Sequence, residues 1–158
     1  MISLIWAMAE NHLIGKGDKI PWHIKEDLVY YKNKTAGQTV LMGEATYYSL
    51  KGYYKKRPLP YGKIYVASLN SDLVLDDAVV INDVVSFLKE EHDDLWVVGG
   101  ATIYKLALPY ADRLYISFVL GEYEGDVYFP EFNFDEYKLV WENVTEQVRY
   151  TLYERVML

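Results

Sequence analysis

Leu95-Trp96-Val97-Val98-Gly99-Gly100-Ala101-Thr102 is an apolar run that stops at two glycines and passes into a helical pattern over Thr102–Leu108. A short apolar run bounded by glycine reads as a strand buried on both faces. The same handover occurs earlier, where Val40-Leu41-Met42-Gly43 leads into a helical pattern at Ala45–Leu50. On either side of these runs, Ile2–Ala9, Thr39–Met42, Lys63–Ser68, Val79–Ile81 and Leu95–Val98 read as buried strands. Ile24–Lys34 and Val84–Glu91 carry helical spacing as well. Strand and helix in alternation specify an α/β sheet that is mostly parallel. The chain then changes character. Arg113–Leu120, Tyr137–Asn143 and Arg149–Met157 read as strands, and no helix separates the last two, which predicts an antiparallel hairpin. The expected fold is a single α/β domain over residues 1–158, a mixed sheet of about eight strands with roughly four flanking helices.

Composition narrows the function. Of 158 residues, 51% are hydrophobic and 25% charged, an ordinary globular balance. Sixteen basic against 23 acidic residues give a net charge of −7, which opposes a nucleic-acid partner. There is no cysteine, so disulfides, thiolate metal sites and cysteine nucleophiles are excluded. His12, His23 and His92 lack metal-ligand spacing, and no metal is expected. Ile2–Ala9 has no basic leader and is too short to span a membrane. A cytoplasmic monomer without a membrane partner is the expectation. The 16 tyrosines suit half-buried positions with their hydroxyls reaching water.

Candidate chemistry starts at Ile20-Pro21-Trp22-His23-Ile24. Pro21 biases Ile20 to an extended conformation, so a helix should begin near His23 or Ile24. Ile24, Asp27, Leu28 and Tyr31 then fall on one face, opposite Lys25, Glu26 and Lys32. Asp27 is the one charge on that stripe, and a buried carboxylate needs a partner or a raised pKa. Two readings stay open: an edge carboxylate satisfied by backbone or water, or an acid that binds a ligand. The two glycine turns bring backbone close to a ligand and expose helix N-termini, as the two ends of a dinucleotide require. Taken singly, each is also what a tight turn needs.

With Asp27 and both turns in place, nearly the whole chain resembles dihydrofolate reductases. The resemblance rests on seven elements in register: Ile5-Trp6-Ala7; Ile14-Gly15; Pro21-Trp22 with Asp27 and Tyr31; Met42-Gly43 with Thr46; Arg57-Pro58-Leu59-Pro60; Val98-Gly99-Gly100 with Ile103-Tyr104; and Glu124-Gly125-Asp126 with Phe129-Pro130. It implies reduction of 7,8-dihydrofolate by hydride transfer from NADPH. Asp27 would then bind the pterin N3 and 2-amino group and promote protonation at N5 through a water held near Trp22, with the Ser117 hydroxyl on the carboxylate. Ile5, Trp6, Ala7, Leu28, Tyr31, Leu50, Val98 and Tyr104 would line the substrate, and Lys63 would reach its anionic tail. Ala7, Ile14, Gly15, Ile20, Gly43, Glu44, Ala45, Thr46 and Ser68 would follow the cofactor. Gly99, Gly100, Ala101, Thr102, Ile103 and Tyr104 would lie against its diphosphate. Glu10 to Trp22, with turn residues Asn11, Gly15, Gly17 and Asp18, resembles a mobile loop latched by Asp126.

The pattern is broken in three places. The arginine that should follow Pro-Leu-Pro is missing from Leu59-Pro60-Tyr61-Gly62-Lys63, and lysine lacks the bidentate fork. Arginines expected after each glycine turn are replaced by Glu44 and Thr102. An acid facing the adenosine ribose favours a free 2′-hydroxyl, so NADH should be tolerated. The alternative turns Glu44 to solvent and sends Lys16, Lys55 or Lys105 to the phosphate. Lys51–Lys56 reads as an inserted, solvated loop. Competing functions are a pyrimidinone-ribose-phosphate reductase on the same fold and a non-catalytic paralogue that binds pterin or nucleotide.

Overall fold

The computed structural model describes residues 1–17 and 19–156. Asp18 and Met157 lie outside the described residues. Ten strands occur among them: β1 (Ile2–Met8), β2 (Leu13–Gly15), β3 (Thr39–Gly43), β4 (Lys63–Ala67), β5 (Val79–Ile81), β6 (Leu95–Val97), β7 (Arg113–Val119), β8 (Val127–Tyr128), β9 (Tyr137–Val144) and β10 (Val148–Arg155). Four α-helices accompany them: α1 (Lys25–Thr35), α2 (Glu44–Tyr54), α3 (Val84–Lys89) and α4 (Ala101–Ala107). Eight strands form one sheet in the order β5-β4-β3-β6-β1-β7-β10-β9. Every pairing from β5 to β7 is parallel, and β10 is antiparallel to both β7 and β9. The expected C-terminal hairpin is therefore present.

Strand alternation sorts the apolar residues onto two faces. Ile5, Val40, Met42, Ile64, Val66 and Tyr115 meet Tyr31, Tyr47 and Leu50 from α1 and α2. Leu4, Trp6, Met8, Leu41, Val97 and Leu114 meet Phe87 of α3 and Ile103 of α4. Both layers are needed because parallel strands are apolar on both sides.

From β1 the chain moves to β3, then outward to β4 and β5, and returns to place β6 beside β1. It next crosses to β7 on the other side of β1. Strand order thus reverses around β1, which opens a crevice at the carboxyl ends of the strands.

Three expectations need correction. Helix α1 starts at Lys25, with Ile24 still extended. Helix α2 runs on to Tyr54, so Lys51–Tyr54 is helix rather than a solvated loop. Tyr47, Leu50 and Tyr54 continue one apolar stripe against the sheet, and that packing carries the helix past Leu50. Beyond the expected strands, β2 and β8 form a separate two-stranded sheet.

That small sheet is tightly built. A Cβ on Gly125 would stand 2.3 Å from the Gly15 carbonyl oxygen and 2.8 Å from Leu13 Cδ1. The neighbouring Asp126 N–H donates to the same carbonyl at 3.0 Å. Gly125→Ala should therefore cost about 1–3 kcal/mol, as overpacking does. Urea denaturation checks this, and an unchanged midpoint would mean that the β2–β8 approach yields freely.

Candidate active site

Asp27 sits in the first turn of α1, where the Ile24 carbonyl accepts from its N–H at 3.1 Å. A helix N-terminus favours a carboxylate, yet burial dominates. Desolvation lifts the Asp27 carboxyl from 3.8 to about 6; the Ser117 hydroxyl draws it back, and the charge of Glu26 adds to the rise. Ser117 lies near the carboxyl end of β7, opposite Ala7 of β1. Glu26, one residue before Asp27, has a different fate. It accepts from Thr145 Oγ1 at 2.6 Å and from the Tyr150 hydroxyl at 3.0 Å. None of the ion pairs among the described residues involves Asp27. It is an acid without a counter-charge.

Trp22 is buried beside Ile24, Leu13 and Val148, with Tyr123 set edge-on at 5.5 Å. Ile5, Tyr31, Leu50 and Val98 come together in one cluster on the face of α1 and α2. Leu28 is 45% exposed, next to Asp27 on the helix but outside that cluster. Alternation sends the Trp6 side chain to the opposite face from Ile5, where it stacks on Phe129 at 3.8 Å. Only its backbone can serve the Asp27 side, which corrects the expectation that its side chain lines the substrate.

A cavity of about 510 Å³ opens at the carboxyl ends of β3 and β4 and at the start of α4. Gly43 to Thr46, Ser68 and Gly100 to Ile103 line it, as the sequence suggested. A Cβ on Gly43 would press on Ile103 Cγ1 at 3.1 Å, and the Gly43 N–H donates to the Gly99 carbonyl at 2.8 Å. Gly99 has φ +129°, a conformation that side chains disfavour. Tyr104 is fully packed, and its hydroxyl donates to the Ile5 carbonyl at 2.8 Å. That bond ties the cavity to β1 and so to Asp27.

Asp126 Oδ1 accepts from the Gly17 N–H at 2.8 Å, the latch expected of it. Ile14 is partly buried, Gly15 buried and Ile20 55% exposed.

Lys63 does not join the substrate side. Its ammonium lies 5.1 Å from the centre of the Tyr65 ring, which packs on Phe87 of α3, across the sheet from Tyr31 and Leu50. The strand's period of two decides this. Cations on that side include the pair Lys32 and Arg57, 6.0 and 5.0 Å from the Tyr54 ring centre, besides Lys34, 5.5 Å from the centre of the Tyr115 ring. Sequence reading missed this pair, although Lys32 lies five residues beyond Asp27 and Arg57 was assigned no role. It also missed Tyr30, whose buried hydroxyl has no partner and is pushed to about 12 by burial, then by Tyr115 and Asp27. The spacing of three residues from Asp27 was the available signal. Among the described residues no cluster of acidic and imidazole groups could hold a metal, and no helix is long and apolar enough to cross a membrane.

A sequence profile of the dihydrofolate reductase family matches residues 1–156. The chain belongs to that family. It is 39% identical over 142 residues to a dihydrofolate reductase of Bacillus subtilis, covering 89% of this chain and 82% of that protein. A Haemophilus influenzae dihydrofolate reductase is 34% identical over 155 residues, covering 94% and 92%. Among solved structures, the dihydrofolate reductase of Enterococcus faecalis, complexed with NADP(H) and RAB-propyl, superimposes with a TM-score of 0.84. That comparison has 29% identity and covers 98% of this chain and 96% of the other.

The raised carboxyl of Asp27 has a consequence for stability. Its folded-state value exceeds the unfolded one, so the folded protein holds a proton more firmly between about pH 4 and 6. Above pH 6 the ionised, buried group costs about 3 kcal/mol; below pH 4 the cost is absent. Asp27→Asn should therefore stabilise the protein at pH 8 and lose that advantage by pH 4. Denaturant titrations at both pH values test this, and equal gains at both would remove burial of the charge as the cause.

Proposed function

We propose that this chain reduces 7,8-dihydrofolate to 5,6,7,8-tetrahydrofolate with NADPH, supplying one-carbon metabolism and offering a target for antifolates. It acts as a cytoplasmic monomer, one domain spanning residues 1–158, without a nucleic-acid partner. The observation that carries the reading is Asp27, a partly buried carboxylate that joins none of the ion pairs among the described residues. A pterin presents N3–H and a 2-amino group as two parallel donors, which match the two carboxylate oxygens.

The chain's residues fit NADPH. The cavity is walled by backbone at Gly43 and Gly100, and a side chain on Gly43 would close on Ile103. When bound, NADPH supplies the hydride that reaches C6 of the pterin. Reduction at C6 leaves charge on N5, which must take a proton. Asp27 raises the proton affinity there, and a water near Trp22 carries the proton in. Trp22 itself is buried, with Tyr123 packed edge-on. Ser117 orients it. The glutamate tail of the substrate runs to Lys32 and Arg57, which share the Tyr54 ring.

Dihydrofolate-dependent oxidation of NADPH tests the assignment. Asp27→Asn should lower kcat by about 100-fold or more at pH 7, within the range of acid–base contributions. Near-normal turnover by that variant would sink the proposal. Activity with no pterin at all would favour the non-catalytic paralogue.

The tail makes a separate prediction. Arg57→Ala should raise KM for dihydrofolate roughly two- to tenfold, as an exposed charge contact allows. Lys63→Ala, on the far face of the sheet, should leave it unchanged. The reverse pattern would return the tail to Lys63.

A further inference from the structure

We infer that Glu44 and Ser68 form a site for an unphosphorylated ribose, so that this protein takes NADH almost as readily as NADPH. The inference rests on the proposed reading of the cleft as a dinucleotide site. Strand order fixes which end of the dinucleotide is involved. Asp27, which marks the side where the pterin would receive the hydride, lies over the ends of β1 and β7. Ser68 follows β4, three strands away from β1 in the order β4-β3-β6-β1. At about 4.8 Å per strand this is about 14 Å. The β4 end therefore receives the nucleoside distal to the reacting ring.

The chemistry there disfavours a phosphate. The cavity is lined by Glu44, Ser68, Asn70, Thr46, Thr102 and small or apolar residues, and no lysine or arginine is among them. Lys105, one turn along α4, is exposed and does not line it. The donors of Ser68 are already committed. Ser68 Oγ donates to Glu44 Oε2 at 3.2 Å and accepts from the Asn70 N–H at 3.0 Å. Asn82 Nδ2 holds the Ser68 carbonyl at 2.8 Å, and the Ser68 N–H donates to Ile81. Ser68 is thus fixed by three elements, with its proton turned onto the carboxylate. Glu44 keeps its other oxygen for an incoming donor. A ribose 2′-hydroxyl supplies one. A 2′-phosphate dianion instead meets a fixed negative charge and a hydroxyl it can win only by breaking the Ser68–Glu44 bond.

Isothermal titration of the full chain with NADPH and with NADH reads the site directly. The expected dissociation constants lie within about tenfold of each other; a stronger preference for NADPH overturns the inference. Glu44→Gln removes the charge with little change of shape. It should tighten NADPH at least threefold while leaving NADH equal or weaker, and an equal change for both also overturns it. Dihydrofolate turnover with each nucleotide is measured alongside. Binding with the expected ratio but without turnover overturns the proposed reaction and leaves the ribose site standing. Binding of neither nucleotide overturns both.

Discussion

A carboxylate kept from water without a counter-charge is the constraint around which this molecule is arranged. The chain contains a control for it in the adjacent residue. Glu26 leaves the same helical turn in the other direction and is tied by Thr145 and Tyr150. Asp27 faces inward, and burial moves its carboxyl into the range where it titrates near neutrality. On the proposed reading, a heterocycle with two donors offsets the free energy lost by burying it. A site that binds its ligand through an unsatisfied group is less stable empty than it could be.

The sheet supplies the rest by simple geometry. Because β1 alternates, Ile5 serves one face and Trp6 the other, and one short strand contributes to two layers. The reversal of strand order around β1 puts Ala7, Ser117 and the Gly43 and Gly99–Gly100 turns at the same end of the sheet. The Tyr104–Ile5 bond then makes the nucleotide side and the pterin side parts of one rigid body.

Much of this was legible in the residues. The apolar runs located the buried strands, and the missing helix between the last two runs located the hairpin. The glycine turns marked residues that the structure gathers around one cavity. What escaped has physical reasons. Lys63 was assigned by its nearness to Pro60, but which face of a strand a residue occupies depends on register, and one step reverses it. The last turn of α2 was hidden because Gly52 and two lysines interrupt a stripe that only packing against the sheet reveals. The β2–β8 pair is too short for any periodicity, and it exists because Gly125 allows close backbone contact. Tyr30 was passed over because the stripe through Ile24, Asp27, Leu28 and Tyr31 drew the assignment to Tyr31, although Tyr30 also lies three residues from Asp27.

The sheet ends in two unequal strands. β5 has three residues, too few to recruit a neighbour, whereas β9 has eight and exposes Val140, Trp141 and Val144. Its pairing with β10 slips by one residue between Leu152–Trp141 and Tyr153–Leu139, which leaves Val140 without a partner. The slip twists the ladder, and Lys138 and Glu142 place charge on either side of it. An edge so bent and charged is a poor template for a second chain. The apolar outer strand thus offers little regular backbone on which a neighbouring sheet could be extended.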